Sequence, residues 1–254
     1  MTRQTTDQKG VVVLGATSLV ARVLARAFAE TGRPIVLGAR DDAENARIAS
    51  DINVRTGQPC YPLHFDAEAV DTHPAFWIEC AKTFGHFPGG LIVCFGYMAD
   101  QKQAEQDVAL AKRMVEVNLL GAVSVLETAA HDFSERKEGF IATVSSVAGD
   151  RGRQSNYLYG AAKGGLSVYM QGLRNRMHHH GVPVTTLIPG FMDTPMTEGM
   201  DLPNPLVTAP ERAGKLMVHA IQKRKSVAYI PGYWRLIMTV ITSIPEPIFK
   251  RLRF

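Results

Sequence analysis

The chain alternates short apolar runs, rich in β-branched residues, with longer stretches that carry apolar residues at helical spacing. The first run, GVVVL, ends at Gly15, and the helical pattern VARVLARAFAE follows it, with Gly32 as the expected C-terminal cap. Strands that alternate with helices in this way form βαβ units with parallel strands. The sequence therefore predicts an α/β fold: a single-domain, doubly wound parallel sheet of the Rossmann type.

Five buried strands are predicted, and neither a repeat nor a low-complexity linker interrupts the series. They are Gly10 to Leu14, Ile35 to Ala39, Gly90 to Phe95, Phe140 to Ser145 and Val184 to Ile188. Right-handed crossovers bring the carboxyl ends of such strands to one edge of the sheet, where ligands bind. We expect a flexible polar tail over residues 1–10, a catalytic domain over 11–228 and an amphipathic basic segment over 229–254.

The charge distribution argues against a nucleic-acid-binding protein. The 254 residues carry a net charge of +4, and 46% of them are hydrophobic, as in a globular protein with a sizeable core. Residues 222–254 hold seven Lys/Arg and one acid, whereas the rest of the chain holds 21 basic and 23 acidic residues. The basic character therefore belongs to the C-terminal segment, and the body has no basic patch of the kind that nucleic acid requires.

Cysteine usage and hydropathy indicate a cytoplasmic protein. Cys60, Cys80 and Cys94 show neither a CxxC pair nor a metal-ligand spacing, as expected of buried thiols in a reducing compartment. No apolar run approaches the roughly 18 to 20 residues of a membrane-spanning helix, and MTRQTTDQKG lacks the apolar stretch of a signal peptide. No metal site is expected at His178 to His180, because successive helical residues point about 100° apart.

The turn after the first strand is a candidate dinucleotide site. It contains Gly15, Thr17, Ser18, Leu19 and Val20. At such a strand-to-helix turn, backbone N–H groups and the helix dipole bind a pyrophosphate; the alternative is a plain tight turn.

The second strand ends at Ala39 and is followed by Arg40, a cation suited to the 2′-phosphate of NADP. We therefore expect NADP(H) rather than NAD(H), unless Arg40 pairs with Asp41 or Asp42 instead.

A tyrosine and a lysine form the candidate catalytic pair. Tyr159 and Lys163 are four residues apart and so share one face of a helix. An ammonium ~4 Å from a phenol, at an effective dielectric of ~20, is worth roughly 4 kcal/mol, or about three pKa units. The pair predicts a Tyr159 pKa lowered towards neutrality. Ser146 lies 13 residues ahead of Tyr159, and adjacent strand residues point to opposite faces, so we choose Ser146 over Ser145.

These elements, in this order, resemble the short-chain dehydrogenase/reductase family from about Val11 to Ala228. Residues 14–21 are similar to its TGxxxGxG loop, although Leu19 and Ala21 replace two glycines. Gly96 matches the last residue of its NNAG motif, where Val93 and Cys94 replace the asparagines. Further matches are Asp66 after the third strand, Asn118 in NxxG, and Pro189, Gly190 and Thr194 in PGxxxT.

The resemblance implies roles for these residues. Tyr159 would donate a proton to the substrate oxygen, and Ser146 would hydrogen-bond that oxygen. Lys163 would lower the Tyr159 pKa and bind the nicotinamide ribose, while Asn118 would position a water. Asp66 would contact adenine and Thr194 the carboxamide, with Gly96, Pro189 and Gly190 also at the cofactor. Homodimers or homotetramers are common in the family. A non-catalytic dinucleotide sensor or scaffold is the alternative that the altered glycine loop favours.

The C-terminal part bears on the substrate. Met196 to Pro210 is punctuated by proline and glycine and suggests a lid over a partly apolar substrate. An amphipathic helix with Trp234 and Met238 on one face and basic flanks follows. Such a segment lies at an anionic membrane surface, or it packs on the cleft or a neighbouring subunit. The runs SSVAGDRGRQSN and WRLIM resemble a bacterial subgroup of the family, which implies a keto sugar on a polyprenyl phosphate.

Overall fold

The computed structural model describes residues 9–197, 199 and 203–252. One sheet of seven parallel strands runs through it, in the order β3-β2-β1-β4-β5-β6-β7. The strands are β1 (Val11–Leu14), β2 (Ile35–Ala39), β3 (Cys60–His64), β4 (Gly90–Val93), β5 (Ile141–Val144), β6 (Val184–Pro189) and β7 (Val227–Ile230). This topology confirms the predicted single-domain, doubly wound α/β sheet.

Helices connect the strands and cover both faces of the sheet. They are α1 (Leu19–Ala29), α2 (Asp42–Thr56), α3 (His73–Phe84), α4 (Gln101–Ala104), α5 (Val108–Val115), α6 (Ala122–Arg136), α7 (Tyr157–His178), α8 (Pro210–Gln222), α9 (Trp234–Ser243) and α10 (Glu246–Phe249). Helices α1, α2 and α8 pack on one face, and α3, α6 and α7 pack on the other. No described helix is long and apolar enough to cross a membrane.

The strands show why their sequence runs are apolar without interruption. Val11 and Val13 face the α1 layer, whereas Val12 and Leu14 face the α3 layer, and all four are fully buried. A parallel sheet covered on both faces has no solvent side, so neither set of alternating residues can be polar. The ends of α1 differ from the prediction: the cap is Glu30, and Gly32 takes a left-handed φ of 86° two residues later.

The strand order reverses between β1 and β4, which are neighbours in the sheet although β2 and β3 lie between them in sequence. Crossovers leave β1 and β4 towards opposite faces, so a crevice opens beyond their carboxyl ends. The loops that follow β1, β4, β5 and β6 border this crevice and carry several of the candidate site residues, among them Ser18, Gly96, Ser146 and Thr194.

Helix α7 lies directly on the turn that follows β5, a single 3-10 turn over Val147–Gly149. A Cβ atom on Gly164 would be 2.9 Å from the Gly149 carbonyl oxygen, and one on Gly149 would be 2.6 Å from the Gly164 nitrogen. Only glycine permits this approach of two backbones. The contact sets the distance between Ser146, at the start of the turn, and Tyr159 on the helix.

Both ends of the described chain pack on the body. Gly10 is buried and Lys9 forms an ion pair with Glu138, whereas residues 1–8, most of the predicted tail, lie outside the described residues. At the other end, Trp234 and Met238 of α9 are buried. Arg253 and Phe254 of the predicted basic segment lie outside the described residues, as do residues 198 and 200–202 of the predicted lid.

Two alanine substitutions in α7 should have opposite effects on stability. Gly164→Ala forces a Cβ against a backbone oxygen and should lower the melting temperature. Gly172→Ala in the same helix meets no atom within 4 Å and should raise it. The gain for Gly172→Ala is about 0.5–1 kcal/mol, or ~2–4 °C for a chain of this size. Thermal unfolding of both variants measures the difference, and equal melting temperatures would contradict the backbone contact.

Candidate active site

One groove runs along the carboxyl edge of the sheet. It consists of a cavity of 180 Å³ near β1, β2 and β3 and a cavity of 410 Å³ near β5 and β6. Six residues line both cavities: Thr17, Ser18, Cys94, Phe95, Gly96 and Met196. The two cavities are therefore the ends of a single groove that crosses the sheet where its strand order reverses.

The turn between β1 and α1 forms the middle of the groove. Gly15 has a φ of 81°, and a Cβ there would be 2.5 Å from the Phe95 nitrogen, so the turn admits no side chain. The Ser18 hydroxyl caps α1 by accepting from the Ala21 N–H at 3.1 Å. Leu19 is the first residue of α1 and lines the larger cavity with 38% of its surface exposed, while Val20 is buried.

A cluster of charged side chains lies at the smaller end of the groove. Arg40 Nη1 is 3.3 Å from a Glu68 carboxylate oxygen, and Arg113 donates to the same carboxylate at 3.1 Å. Asp41 and Asp42, the partners expected as alternatives, are occupied elsewhere: the first caps α2 and the second contacts His64. Arg40 therefore remains on the cavity wall beside an acid that the sequence analysis did not identify.

Asp66, on the same wall, is positioned by a histidine that the sequence analysis also missed. His73 is fully buried, donates from Nε2 to the Asp66 carbonyl at 3.0 Å, and has its Nδ1 2.9 Å from the Ser124 hydroxyl. Its ring stacks on Phe65 at 4.8 Å. Burial lowers the pKa of His73, so the neutral ring is the form that suits this position.

The two serines after β5 point in different directions. Ser145 binds the backbone of α7, through the Lys163 carbonyl at 3.0 Å, and the Ser167 hydroxyl at 2.7 Å. Both serines border the larger cavity, but only the Ser146 hydroxyl is directed towards Tyr159, and it also accepts from the Ala148 N–H at 3.1 Å. The pleat of the strand thus directs the Ser145 hydroxyl to α7 and leaves the Ser146 hydroxyl beside Tyr159.

The electrostatics of Tyr159 differ from the prediction. Burial raises the pKa of Tyr159 to about 12, while hydrogen bonding with Ser146 acts in the opposite direction. The predicted lowering of the Tyr159 pKa by Lys163 is therefore wrong for this structure. The reason is geometric: Lys163 Nζ lies 5.8 Å from the centre of the Tyr159 ring and donates to the Val144 carbonyl at 3.1 Å. Burial lowers the pKa of Lys163 to about 8.

Asn118 lies in a π-helical turn, Glu116–Gly121, between α5 and α6. Its fully buried amide donates to the Met114 carbonyl at 2.8 Å, which in an α-helix would accept from the residue 118 N–H. The same side chain donates to the Tyr97 carbonyl at 2.6 Å and accepts from the Tyr97 N–H at 3.1 Å. Asn118 therefore joins this helix to the loop that carries Gly96, beside Lys163.

The loop after β6 closes the larger cavity. Pro189, Gly190 and Thr194 line it, and the indole of Trp234 lies against the Gly190 backbone with no space for a Cβ. Trp234 also packs on Phe191 at 5.1 Å between ring centres. The inward face of α9 therefore supports the cavity wall from behind. Within the described part of the chain, no three His, Cys, Asp or Glu residues form a metal-binding group.

Comparison with known proteins gives the family. Residues 9–203 match the model of the short chain dehydrogenase family. An uncharacterized oxidoreductase of Mycobacterium tuberculosis is 32% identical over 242 residues, which are 95% of this chain and 96% of that protein. The chain belongs to the short-chain dehydrogenase family. It is thus an oxidoreductase enzyme of that family, as the motifs predicted.

Solved structures share the fold of this short-chain dehydrogenase. A short-chain dehydrogenase from Sphingobium yanoikuyae in complex with NADPH has a TM-score of 0.77 and 20% identity, covering 94% of this chain and 97% of the other. An actinorhodin polyketide ketoreductase variant with NADPH has a TM-score of 0.80 and 20% identity, covering 90% and 98%. At 20% identity, the likeness to these two structures concerns the fold alone.

The dehydrogenase also contains groove residues that no motif indicated. Glu68 joins Arg40 and Arg113, which are 28 and 45 residues away from it in sequence. His73 follows Asp66 by seven residues and donates to its carbonyl. Arg153 and Asn156 line the larger cavity from the loop between Ser146 and Tyr159. The sequence of that loop resembles the family, but it does not show which of the loop's side chains are buried in the cavity wall.

The buried His73 should make stability depend on pH. Its pKa is lowered by folding, so the unfolded chain binds a proton below about pH 6.5 that the folded protein does not. Stability should therefore fall as pH drops below that value, by at most about 1.4 kcal/mol per pH unit. Thermal unfolding between pH 7.5 and 5.5 should show a smaller decline for His73→Gln than for wild type. The exposed His131→Gln is the control, and identical slopes in all three proteins would contradict this account.

Proposed function

We propose that the enzyme interconverts a ketone and a secondary alcohol with NADP(H), using Tyr159 as general acid and base. One observation carries the proposal: Ser146, Tyr159 and Lys163 line the same cavity, at one end of the groove whose middle is the β1–α1 turn. Asn118 holds the neighbouring loop after β4 through the Tyr97 carbonyl. A dinucleotide sensor requires the groove but has no use for this set of residues.

The groove suits a nicotinamide dinucleotide. Its middle is free of side chains at Gly15 and at Gly96, where a Cβ would lie 3.0 Å from the Asn118 oxygen. Residues Thr17, Ser18, Leu19 and Val20 at the start of α1 would hold the pyrophosphate, whose charge the helix N-terminus favours. Asp66 would hold the adenine, and Pro189, Gly190 and Thr194 the nicotinamide, which supplies the hydride. The NADPH in the two structural neighbours supports this cofactor class.

The proposed proton path follows from the burial of Tyr159 and Lys163, which shifts the pKa of each group. A phenol with a pKa near 12 is protonated at neutral pH, so Tyr159 can donate its proton to the substrate oxygen during reduction. Ser146 would hydrogen-bond the same oxygen and stabilise the charge that develops there. Lys163, with a pKa of about 8, would bind the nicotinamide ribose and pass a proton towards Tyr159. A water held near Asn118 would return that proton from solvent.

Arg40 supports NADP(H) over NAD(H). It is the first residue after β2, its side chain is 58% exposed, and it lines the smaller cavity. Its contact with Glu68 is long, at 3.3 Å, and Glu68 retains Arg113 as a second partner. Arg40 can therefore leave Glu68 and bind a 2′-phosphate, because the Glu68 carboxylate would still be paired with Arg113. Arg113 also lines this cavity and adds positive charge.

A lipid-linked keto sugar is the proposed substrate class. The support is the resemblance of SSVAGDRGRQSN, and of the WRLIM ending, to the reductase subunit of decaprenylphosphoryl-ribose epimerase. Helix α9 supports it as well, because Leu236 and Val240 lie exposed on the side away from the buried Trp234. With Arg235 beside them, Leu236 and Val240 would contact the inner face of an anionic membrane. The proposed enzyme is cytoplasmic, and it is a homodimer or homotetramer as is common in its family.

The catalytic assignment is tested with Tyr159→Phe. NADPH oxidation would be followed with a panel of ketones that includes prenyl-linked keto sugars. Wild type should turn over at least one of them, and the turnover rate of the variant should be lower by at least about 100-fold. The NADPH dissociation constant, from nucleotide fluorescence, should stay within about threefold. Tyr157→Phe, on the same helix, is the control and should retain turnover. If wild type binds NADPH but none of the ketones supports its oxidation, the result would favour the alternative of a non-catalytic dinucleotide sensor.

The cofactor preference is tested with Arg40→Ser. An arginine–phosphate contact is worth about 1.5–3 kcal/mol, so KM for NADPH should rise roughly 10- to 100-fold. KM for NADH should change little, because NADH has no 2′-phosphate. The exposed Arg47→Ser, one turn into α2, is the matched control. A wild-type preference for NADH above tenfold would overturn the proposal.

Membrane contact is tested with anionic vesicles. Wild type should sediment with vesicles of phosphatidylglycerol and less with neutral ones, and Leu236→Ser with Val240→Ser should abolish most of the binding. The double variant should keep its fold, because both side chains are exposed. Val54→Ser, an exposed valine on α2, is the control. Equal recovery of all proteins in the supernatant would exclude the contact.

A further inference from the structure

We propose that Arg153 anchors an anionic oxygen group of the substrate, a carboxylate or a phosphate, beside the reacting carbonyl. The inference rests on the proposed ketone reduction and adds a requirement for charge on the substrate. It arises from a buried cation whose donors are largely unused and which lines the same cavity as Ser146 and Tyr159.

Within the described part of the chain, the guanidinium of Arg153 makes one hydrogen bond. Nη2 donates to the Val147 carbonyl at 2.9 Å, whereas Nε is buried without a partner. Nη1 has no acceptor among residues 9–197, 199 and 203–252. Although so few of its donors are bonded, Arg153 is only 9% exposed, so most of its side chain is removed from water. An arginine has five N–H donors in a planar fork, and most of them remain unused here.

No carboxylate forms an ion pair with Arg153 within the described chain. Asp150 is the acidic group whose charge acts on it, but its carboxylate accepts from the Tyr229 hydroxyl at 2.9 Å and makes no hydrogen bond to the arginine. A buried charge without a hydrogen-bonded counterion is unfavourable, and a bound anion would relieve it.

Two other arginines that are buried or largely buried in the described chain, Arg136 and Arg33, are satisfied by the fold. Arg136, which is largely buried, donates to Asp132 at 2.6 Å and to Glu138 at 2.7 Å. Arg33 donates to the Lys9 carbonyl at 2.8 Å and packs on the rings of Phe28 and Phe140. Neither lines the catalytic cavity. Arg153 differs in both respects, which indicates a role towards a ligand.

The surroundings of Arg153 favour a substrate group over the nucleotide. It lies on the loop between Ser146 and Tyr159, whereas the positions that would hold phosphates are on α1 and after β2. Asn156 on the same loop lines the cavity, and its Oδ1 is buried without a partner. Much of the remaining wall is apolar, including Met98, Phe191 and Met196. In such a wall, an arginine fork selects a carboxylate or phosphate because it can bind two oxygens at once.

The experiment compares matched ligands that differ in charge. Dissociation constants of 4-phenylbutanoate, 4-phenylbutanamide and 3-phenylpropylphosphonate would be measured by calorimetry on the NADP-loaded enzyme. Turnover would be measured with the corresponding aryl ketones: 4-oxo-4-phenylbutanoate, its amide and 3-oxo-3-phenylpropylphosphonate. The carboxylate and phosphonate arms distinguish the two anions. Wild type should bind at least one anion about tenfold more tightly than the amide, with the same preference in kcat/KM.

Substitution of the arginine isolates its contribution. Arg153→Met should remove the preference for the anion and leave amide binding within about threefold of wild type. Arg153→Gln keeps a donor for the Val147 carbonyl and serves if the methionine variant does not fold. Arg151→Gln removes a cation two residues away, one that binds the C-terminal segment through Glu246 and Phe249, and should retain the preference.

Each result decides between the two proposals. An equal affinity of wild type for acid, phosphonate and amide would overturn the role of Arg153, as would a preference that survives in Arg153→Gln. Anion binding that depends on Arg153, without NADPH oxidation by any ketone, would support the subsite and contradict the proposed reaction. Turnover of the neutral ketone alone would support the reaction and contradict the subsite.

Discussion

The direct contact of helix α7 with the turn after β5 is the constraint on which the candidate site depends. Gly149 and Gly164 bring the two backbones together at a distance that no side chain allows. The turn carries Ser146 at its start, and the helix carries Tyr159 and Lys163 on the face that meets it. Because Ser145 also binds the Lys163 carbonyl, the helix is held at two points along the turn. The geometry of the three polar side chains is thus a consequence of backbone packing.

Burial is the second feature that shapes the chemistry. Tyr159 and Lys163 are both removed from water, and burial disfavours the charged form of each. The phenol therefore holds its proton firmly, while the ammonium titrates near neutrality. In the proposed mechanism, a phenol that stays protonated suits the direction of reduction, in which Tyr159 donates its proton. The Val144 carbonyl, which accepts from Lys163 Nζ at 3.1 Å, compensates part of its burial.

The C-terminal helix contributes to the cleft although it lies outside the residues that match the family model. The indole of Trp234 occupies the space beside Gly190, so the loop after β6 is supported from behind by α9. The opposite side of the helix leaves Leu236 and Val240 exposed. One short helix therefore connects the floor of the cavity to an apolar surface. This arrangement combines the two interpretations of the segment that the sequence left open: it packs on the cleft and still has a free apolar side.

The sequence by itself determined the parallel sheet and the order of the site residues along it. Uninterrupted apolar runs require burial on both faces, and the spacings of Ser146, Tyr159 and Lys163 are local properties of a strand and a helix. Only the tertiary structure decided that Arg40 meets Glu68, that His73 supports Asp66, and that Arg153 is buried with most of its donors unused. It also reversed the expected pKa of Tyr159, because the distance to Lys163 and the depth of burial are set by segments far apart in sequence. Periodicity reports which face a residue lies on, and packing determines which atoms it meets there.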